Sequence, residues 1–280
     1  MENVFTPFKS AWKVADLRKK LIATILMLLV YRIGVFVPVP FFNAAALAEM
    51  VANQGGFLGF MNIIGGGAFT NASIFAMSIT PYINASIIIK LLTIAIPALE
   101  KMQKEGEEGR KKLAQWVRYG TVMLGFLQAT FMYIGFGSAV LKRDVISYLT
   151  ITLALTAGTA FIMWLGEQIN EYGIGNGISL IIFVNILSRG PIAFTALANI
   201  IRGYSQEGRL ALGVMIVLAI VAVFVLVTVL VIFVTEAERR IPVQYAKRVV
   251  GRKMYGGQST HVPMKVNMAG VMPIIFAMSI

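Results

Sequence analysis

Residues 55–89 read GGFLGFMNIIGGGAFTNASIFAMSITPYINASIII, apolar and uncharged enough for a bilayer, yet Gly65, Gly66, Gly67 and Pro81 interrupt them. Each glycine costs a helix interior about 1 kcal/mol relative to alanine, so a helix is predicted to end at the triplet. Upstream, GGFLGFMNII is too short to cross a hydrocarbon core of about 30 Å. Downstream, residues 72–97 are long enough, with Thr70 or Asn71 as candidate caps. Irregular backbone at membrane depth must be buried in protein or line a watery cavity. Two readings stand here: a functional break, and an external re-entrant loop with only a packing role. Pro81, one turn into the expected helix, is read as a kink. Around it, Ser78, Thr80, Asn84 and Ser86 make a polar side, while Ile79 and Ile83 stand four apart on one face. Such a helix suits the border of a water-filled funnel.

The rest of the chain agrees with a membrane setting. Hydrophobic residues make up 58%, and apolar runs place about seven spans at 21–37, 72–97, 120–141, 145–165, 174–189, 210–235 and from Val266 onward. The expected class is an all-α polytopic membrane protein. The last run, VNMAGVMPIIFAMSI, reaches Ile280 without a polar flank, which leads us to expect a piece of a longer protein. The start, LRKKLIATILMLLVYRIGVFV, looks like a secretory signal but lacks a small-residue cleavage site and is followed by more spans. With no cysteine, disulfides and thiolate metal sites are excluded.

A net charge of +12 invites a nucleic-acid reading, but the charges fall in blocks between spans. Lys9, Lys13, Arg18, Lys19 and Lys20 precede the first run; Lys101, Lys104, Arg110, Lys111, Lys112 and Arg118 follow the second; residues 239–265 carry the largest block. The alternate connections hold only Lys142, Arg143, Arg189, Arg202 and Arg209. That alternation places the N-terminus in the cytoplasm. Of the cytoplasmic loops, ALEKMQKEGEEGRKKLAQWVRYG reads as a helical hairpin connection, and GEQINEYGIGNGISL carries Glu167 and Glu171 without a basic residue. The third loop is different: Ile241, Val243 and Tyr245, and then Thr260, Val262, Met264 and Val266, alternate with the strand period of two. Between them KRVVGRKMYGGQ offers Gly256-Gly257 as turn chemistry, so we read a β-hairpin with a basic tip. Its pattern and clustered charge favour docking to a large acidic surface, ribosomal RNA or an acidic cytosolic protein.

Other candidates carry less. GIGNGIS at 173–179 lacks the spacing and preceding strand of a nucleotide loop, and Asn176 or Ser179 is the expected cap of a short fifth span. Lys90 reads as a snorkelling cation, whereas Arg32 is open between snorkelling and function. His261 has no companion histidine or cysteine for a ligand set. No carboxylate pair lies within a span, which argues against a proton relay.

Four motifs, FAMSITPYINASIIIKLL, KEGEEGRKKLAQWVRYGT, MWLGEQINEYGIGNGISLIIF and RRIPVQYAKRVVGRKMYGGQSTHVPMKVNMAGVMPIIFA, together resemble the bacterial SecY family over essentially the whole chain. The resemblance implies an inverted-repeat helical bundle of ten spans in two halves of five, with no catalytic site, metal or cofactor. Its first half would be residues 1–209; residues 210–280 would begin the second, with the basic loop at 236–265. It implies a half-helix plug at 55–67 comprising Phe57, Leu58, Phe60, Met61, Ile63 and Ile64, with Gly65, Gly66 and Gly67 as a loose hinge. Ile79, Ile83, Ile182 and Ile275 match an apolar pore ring. Spans two, three and seven resemble a lateral gate. Arg239, Arg240, Lys247, Arg248, Arg252 and Lys253 match the docking site for the SecA motor or the ribosome. The implied partners also include SecE, SecG, membrane lipids and a translocating polypeptide with its signal sequence, in a bacterial plasma membrane. A secondary transporter is the alternative, and it calls for ionisable residues at the broken helices; both breaks read as uncharged.

Overall fold

The computed structural model describes residues 12, 14–54, 59, 62–206, 208–243, 248–250, 253–255, 260–267 and 270. Helices α1 (Ala15–Gly34), α2 (Ala44–Gln54), α3 (Thr80–Ala95), α4 (Pro97–Lys104), α5 (Glu107–Gly135), α6 (Val145–Tyr172), α7 (Gly177–Leu187), α8 (Gly190–Gln206) and α9 (Leu210–Glu236) precede four short strands. Two compact units divide the chain, residues 1–192 and 193–280.

In the first unit α5 packs on both α3 and α6, and α6 also packs on α1 and α7. Gly125 of α5 lies within 3.8–3.9 Å, measured from where a Cβ would stand, of Pro81, Thr156 and Thr159, so α3, α5 and α6 meet at a residue without a side chain. Three buried hydroxyls on α6 are spent locally: Thr152, Thr156 and Thr159 donate to the carbonyls of Tyr148, Thr152 and Leu155 at 2.7–3.1 Å. A buried polar group is tolerated when it is paired. In the N-terminal half of α5, Arg118 Nε donates to Glu167 Oε1 of α6 at 2.8 Å.

Several boundaries depart from the sequence reading. The expected second span from Ala72 starts as a helix only at Thr80, because residues 65–79 form consecutive turns. Pro81 therefore occupies the first turn of α3, where its missing N–H would have no partner, and it starts the helix instead of kinking it. Neither Thr70 nor Asn71 caps α3; Ile79 does, with no side-chain hydrogen bond. The kink is one proline later, where α3 and α4 bend by 103° across extended Ile96 before Pro97. The predicted helical hairpin is present, turning at Gly106 with φ 82°. Among the described residues, α6, the α7–α8 run and α9 are long and apolar enough to cross a membrane, and α3 with α4 counts as a fourth if the bent pair is one span. The first and third expected spans are helical, as α1 and α5. Helix α1 misses that standard because it carries Arg18, Lys19, Lys20 and Arg32 in its 20 residues, and α5 because Arg118, Gln128, tyrosines and glycines dilute its apolar half. The fifth expected span stops at Leu187 and, after two residues, resumes as α8.

The irregular run 65–79 is core, not surface. Phe69, Ala72 and Ala76 enter one buried cluster with Val39, Phe42, Leu47, Ala129, Ile151 and Leu155. Ala68, Phe75 and Ile79 enter a second, with Tyr31, Val35, Ile162, Leu165, Ile169 and Ile181. On α6, a Cβ at Gly158 would stand 2.1 Å from the Ile74 carbonyl oxygen. At Gly120, a Cβ would meet only the Ala85 methyl at 3.5 Å.

In the second unit, α9 buries only Gly213. Strand β1 (Glu238–Val243) pairs antiparallel with β4 (Thr260–Lys265), while β2 (Arg248–Val250) pairs with β3 (Lys253–Tyr255). The alternating segments thus do pair. The inner reversal falls between Val250 and Lys253, however, upstream of the glycine pair we read as the turn.

We predict that Gly158→Ala lowers the thermal unfolding midpoint of the purified protein, at a cost of about 1–3 kcal/mol. Gly120→Ala in the same assay stays within about 0.5 kcal/mol of the parent.

Candidate functional site

The turn at 62–70 is built around one asparagine. Asn62 Oδ1 accepts from the Thr70 N–H and hydroxyl at 3.3 and 3.2 Å, and its carbonyl accepts from the Gly67 N–H at 3.0 Å. Gly66 and Gly67 take φ of +62° and +90°, which L side chains rarely adopt. A Cβ at Gly66 would stand 2.6 Å from Asn185 Oδ1, and one at Gly67 3.1 Å from Arg189 Nη2. Gly65, Gly66 and Gly67 are all buried. Gly66 and Gly67 are thus held at left-handed backbone angles in close approach to Asn185 and Arg189, with Gly65 buried beside them. Ala72 and Ser78, with φ of 48° and 51°, extend the same left-handed backbone.

Two arginines reach this turn. Arg32, from the last turn of α1, donates from Nη1 to the Gly66 carbonyl at 3.1 Å and lies over the Phe36 ring at 5.3 Å. Arg189, between α7 and α8, donates from Nη2 to the Asn62 carbonyl at 3.4 Å. Neither has a carboxylate within ion-pairing distance among the described residues. The break we read as uncharged thus has two guanidiniums against it, and Arg32 makes a half-buried contact to its backbone. Behind the glycines, the Tyr31 hydroxyl faces Asn185 and Ser78. None of these three side chains reaches a hydrogen bond of good geometry, although each residue is at most 3% exposed.

One turn further on, Ile79 is 1% exposed and its carbonyl accepts from the Ile83 N–H at 3.1 Å. Ile83 and Ile182 are half-buried against the same apolar cluster that holds Ile79. Ile79, Ile83 and Ile182 thus border one apolar cluster, and Ile275 lies outside the described residues. Of the predicted plug, Ile63 is exposed and Ile64 half-buried, while Phe57, Leu58, Phe60 and Met61 lie outside the described residues.

The second glycine break is accounted for bond by bond. Asn176 Oδ1 accepts from the Ile178 and Ser179 N–H groups at 3.1 and 3.3 Å, Asn170 Oδ1 accepts from the Gly177 N–H at 2.7 Å, and the Thr24 hydroxyl accepts from the Ile174 N–H at 3.0 Å. Asn176 is thus the cap, and these N–H groups are already spent on the fold. On the hairpin, Arg239 and Arg240 are exposed, and Arg248 and Lys253 lie on β2 and β3. Lys247 and Arg252 lie outside the described residues.

Sequence reasoning missed Asn62, Asn185 and Arg189. The available signal was a polar residue inside or beside each apolar run, but only the fold tells which ones meet.

The SecY family profile matches residues 73–280. The chain is 49% identical to the protein translocase subunit SecY of Halalkalibacterium halodurans and 46% identical to that of Bacillus subtilis, over 99% of this chain in each case. It spans 65% of the length of these relatives. Among solved structures, one described as a protein-conducting channel superposes with a TM-score of 0.65 at 19% identity, covering 94% of this chain and 56% of that one. Sec61 from a canine ribosome–channel complex gives 0.63 at 18%, covering 94% and 56%. At such identity these two likenesses speak to the fold.

We predict that Gly66→Ala destabilises the protein by about 1–2 kcal/mol or more, from the left-handed backbone alone. Asn185→Ala in that background restores part of the lost unfolding midpoint by clearing the contact, which a double-mutant cycle measures.

Proposed function

The chain belongs to the SecY family, and from that premise we propose that it forms the pore of a protein-conducting channel. The channel passes unfolded secretory polypeptides across a bacterial plasma membrane, with the N-terminus cytoplasmic, and releases signal sequences and membrane helices sideways into lipid. The observation that carries this reading is the convergence of Ile79, Ile83 and Ile182 on one apolar cluster beside a buried run of turns. A girdle of isoleucines, completed in this chain by Ile275, fits around a polypeptide without specific hydrogen bonds and dewets when empty. Sequence-independent passage and an ion seal follow from the same apolar surface.

In this proposal Phe57, Leu58, Phe60, Met61, Ile63 and Ile64 form the plug, and Gly65, Gly66 and Gly67 are its anchored root. Residues 1–209 make one half of the channel, and residues 210–280 open the other. The hairpin presents Arg239, Arg240, Lys247, Arg248, Arg252 and Lys253 to SecA or a ribosome, and SecE and SecG complete the assembly. Exposure of Arg239 and Arg240 supports the docking role. Work comes from ATP hydrolysis or translation outside the channel, so the chain itself needs no catalytic group. A transporter would use its break for a solute, whereas here Arg32 and Arg189 are committed to backbone carbonyls.

Deleting residues 55–67 from the full-length protein is expected to raise ion leak through reconstituted liposomes; unchanged leak would count against the seal. Arg239→Glu with Arg240→Glu is expected to cut motor-driven translocation at least tenfold while leaving basal leak unchanged. Saturable uptake of a small solute, indifferent to motor and ribosome, would replace the channel reading altogether.

A further inference from the structure

We propose that Arg32 and Arg189 are positioning residues that latch the root of the plug, an inference that rests on reading 55–67 as the seal. Nearly every hydrogen bond described for residues 62–71 stays inside residues 62–73: Gly66 to Ile63, Gly67 to Asn62, Ala68 to Gly65, Asn71 to Gly67, Ser73 to Ala68, and both Thr70 donors to Asn62. The exceptions, among the described residues, are the Arg32 bond to the Gly66 carbonyl and the Arg189 bond to the Asn62 carbonyl. Among the described residues, these two side chains reach the 62–71 turn from outside it, and the Val39 N–H on the Ala72 carbonyl ties the segment that follows.

The two ties come from opposite sides in sequence, 34 residues before Gly66 and 127 residues after Asn62. Both donors are guanidiniums whose charge has no carboxylate partner among the described residues. A guanidinium keeps its charge under all ordinary conditions and presents several donors in a fixed fork, so it can hold a carbonyl without a counter-ion. Hydrogen bonds to a charged donor are stronger than neutral ones, and because both arginines are half-buried, losing the acceptor leaves a partly desolvated charge unpaired. Gly67 lacks the side chain that would crowd Arg189, with the virtual Cβ 3.1 Å from Nη2. Each of the two bonds therefore opposes displacement of the root, in addition to the apolar burial of Ala68 and Phe69 beside it.

The test uses the full-length protein in liposomes with Arg32→Gln, Arg189→Gln and the double substitution. Amide hydrogen exchange over residues 62–71 is expected to accelerate about tenfold for each lost bond, with protection of α5 and α6 retained. Basal ion leak rises in the double variant, and adding the double substitution to the 55–67 deletion raises leak no further. Arg32→Lys, keeping charge and one donor, falls between parent and Arg32→Gln. Unchanged exchange in the double variant overturns the latch, and so does a matching loss of protection across α5 and α6, which would mean the arginines hold the whole fold. If the deletion itself leaves leak unchanged, the seal reading fails, while faster exchange at 62–71 still establishes the tie.

Discussion

Backbone that is neither helix nor strand has no water to turn to inside a bilayer, so each N–H and carbonyl must find a partner within the protein. Much of the run at 65–79 meets this constraint through the hydrogen bonds described for it, and the arrangement of the first unit follows from them. Besides its internal turns, the run borrows partners: the Val39 N–H donates to the Ala72 carbonyl at 2.8 Å, and the Ile74 N–H donates to the Val37 carbonyl at 3.0 Å. Those bonds fix the chain leaving α1 against the turns. The glycine at 158 then lets α6 approach the Ile74 carbonyl closely enough to cover it.

A second consequence concerns what the irregular run presents to either side. Its side chains divide between two apolar clusters, so moving it as a block would disturb both. Within the second cluster, Tyr31 stacks on Phe75 and Phe75 on Phe161, with ring centroids 5.5 and 5.9 Å apart. Aromatic stacking of this kind adds to area burial. Stability is thus concentrated around residues 68–79, while the polar hold on residues 62–67 is sparse.

Much of this was legible in the sequence, for identifiable reasons. The helical hairpin at Gly106, the Asn176 cap and the pairing of β1 with β4 are set by local chemistry: glycine at positive φ, an asparagine before an apolar run, and strict alternation. Ile79 and Ile83, one turn apart, were legible as a pair on one face, and both border the same apolar cluster. What failed was anything decided at long range. Pro81 reads as a kink only if the helix begins at Ala72, and it begins at Thr80 because Phe69, Ala72, Phe75 and Ala76 are more stable in two cores than on one helical face. Arg189 looked like an outer-loop cation, since no local pattern links it to Asn62. The glycine triplet read as freedom, because sequence shows where a Cβ is missing but not what has moved into its place.

The closeness of Gly158 to Ile74 also bears on the order in which the protein comes into being. Residue 158 emerges roughly 80 residues after residue 74, and at about 5–20 residues per second that is an interval on the order of 4–16 s. Asn185 and Arg189 arrive later still. During that interval the turn run has left the ribosome without the helix that covers it, so it has to be sheltered by water, lipid headgroups or another protein. A segment near the start of the chain is therefore among the last parts of its unit to reach its final surroundings.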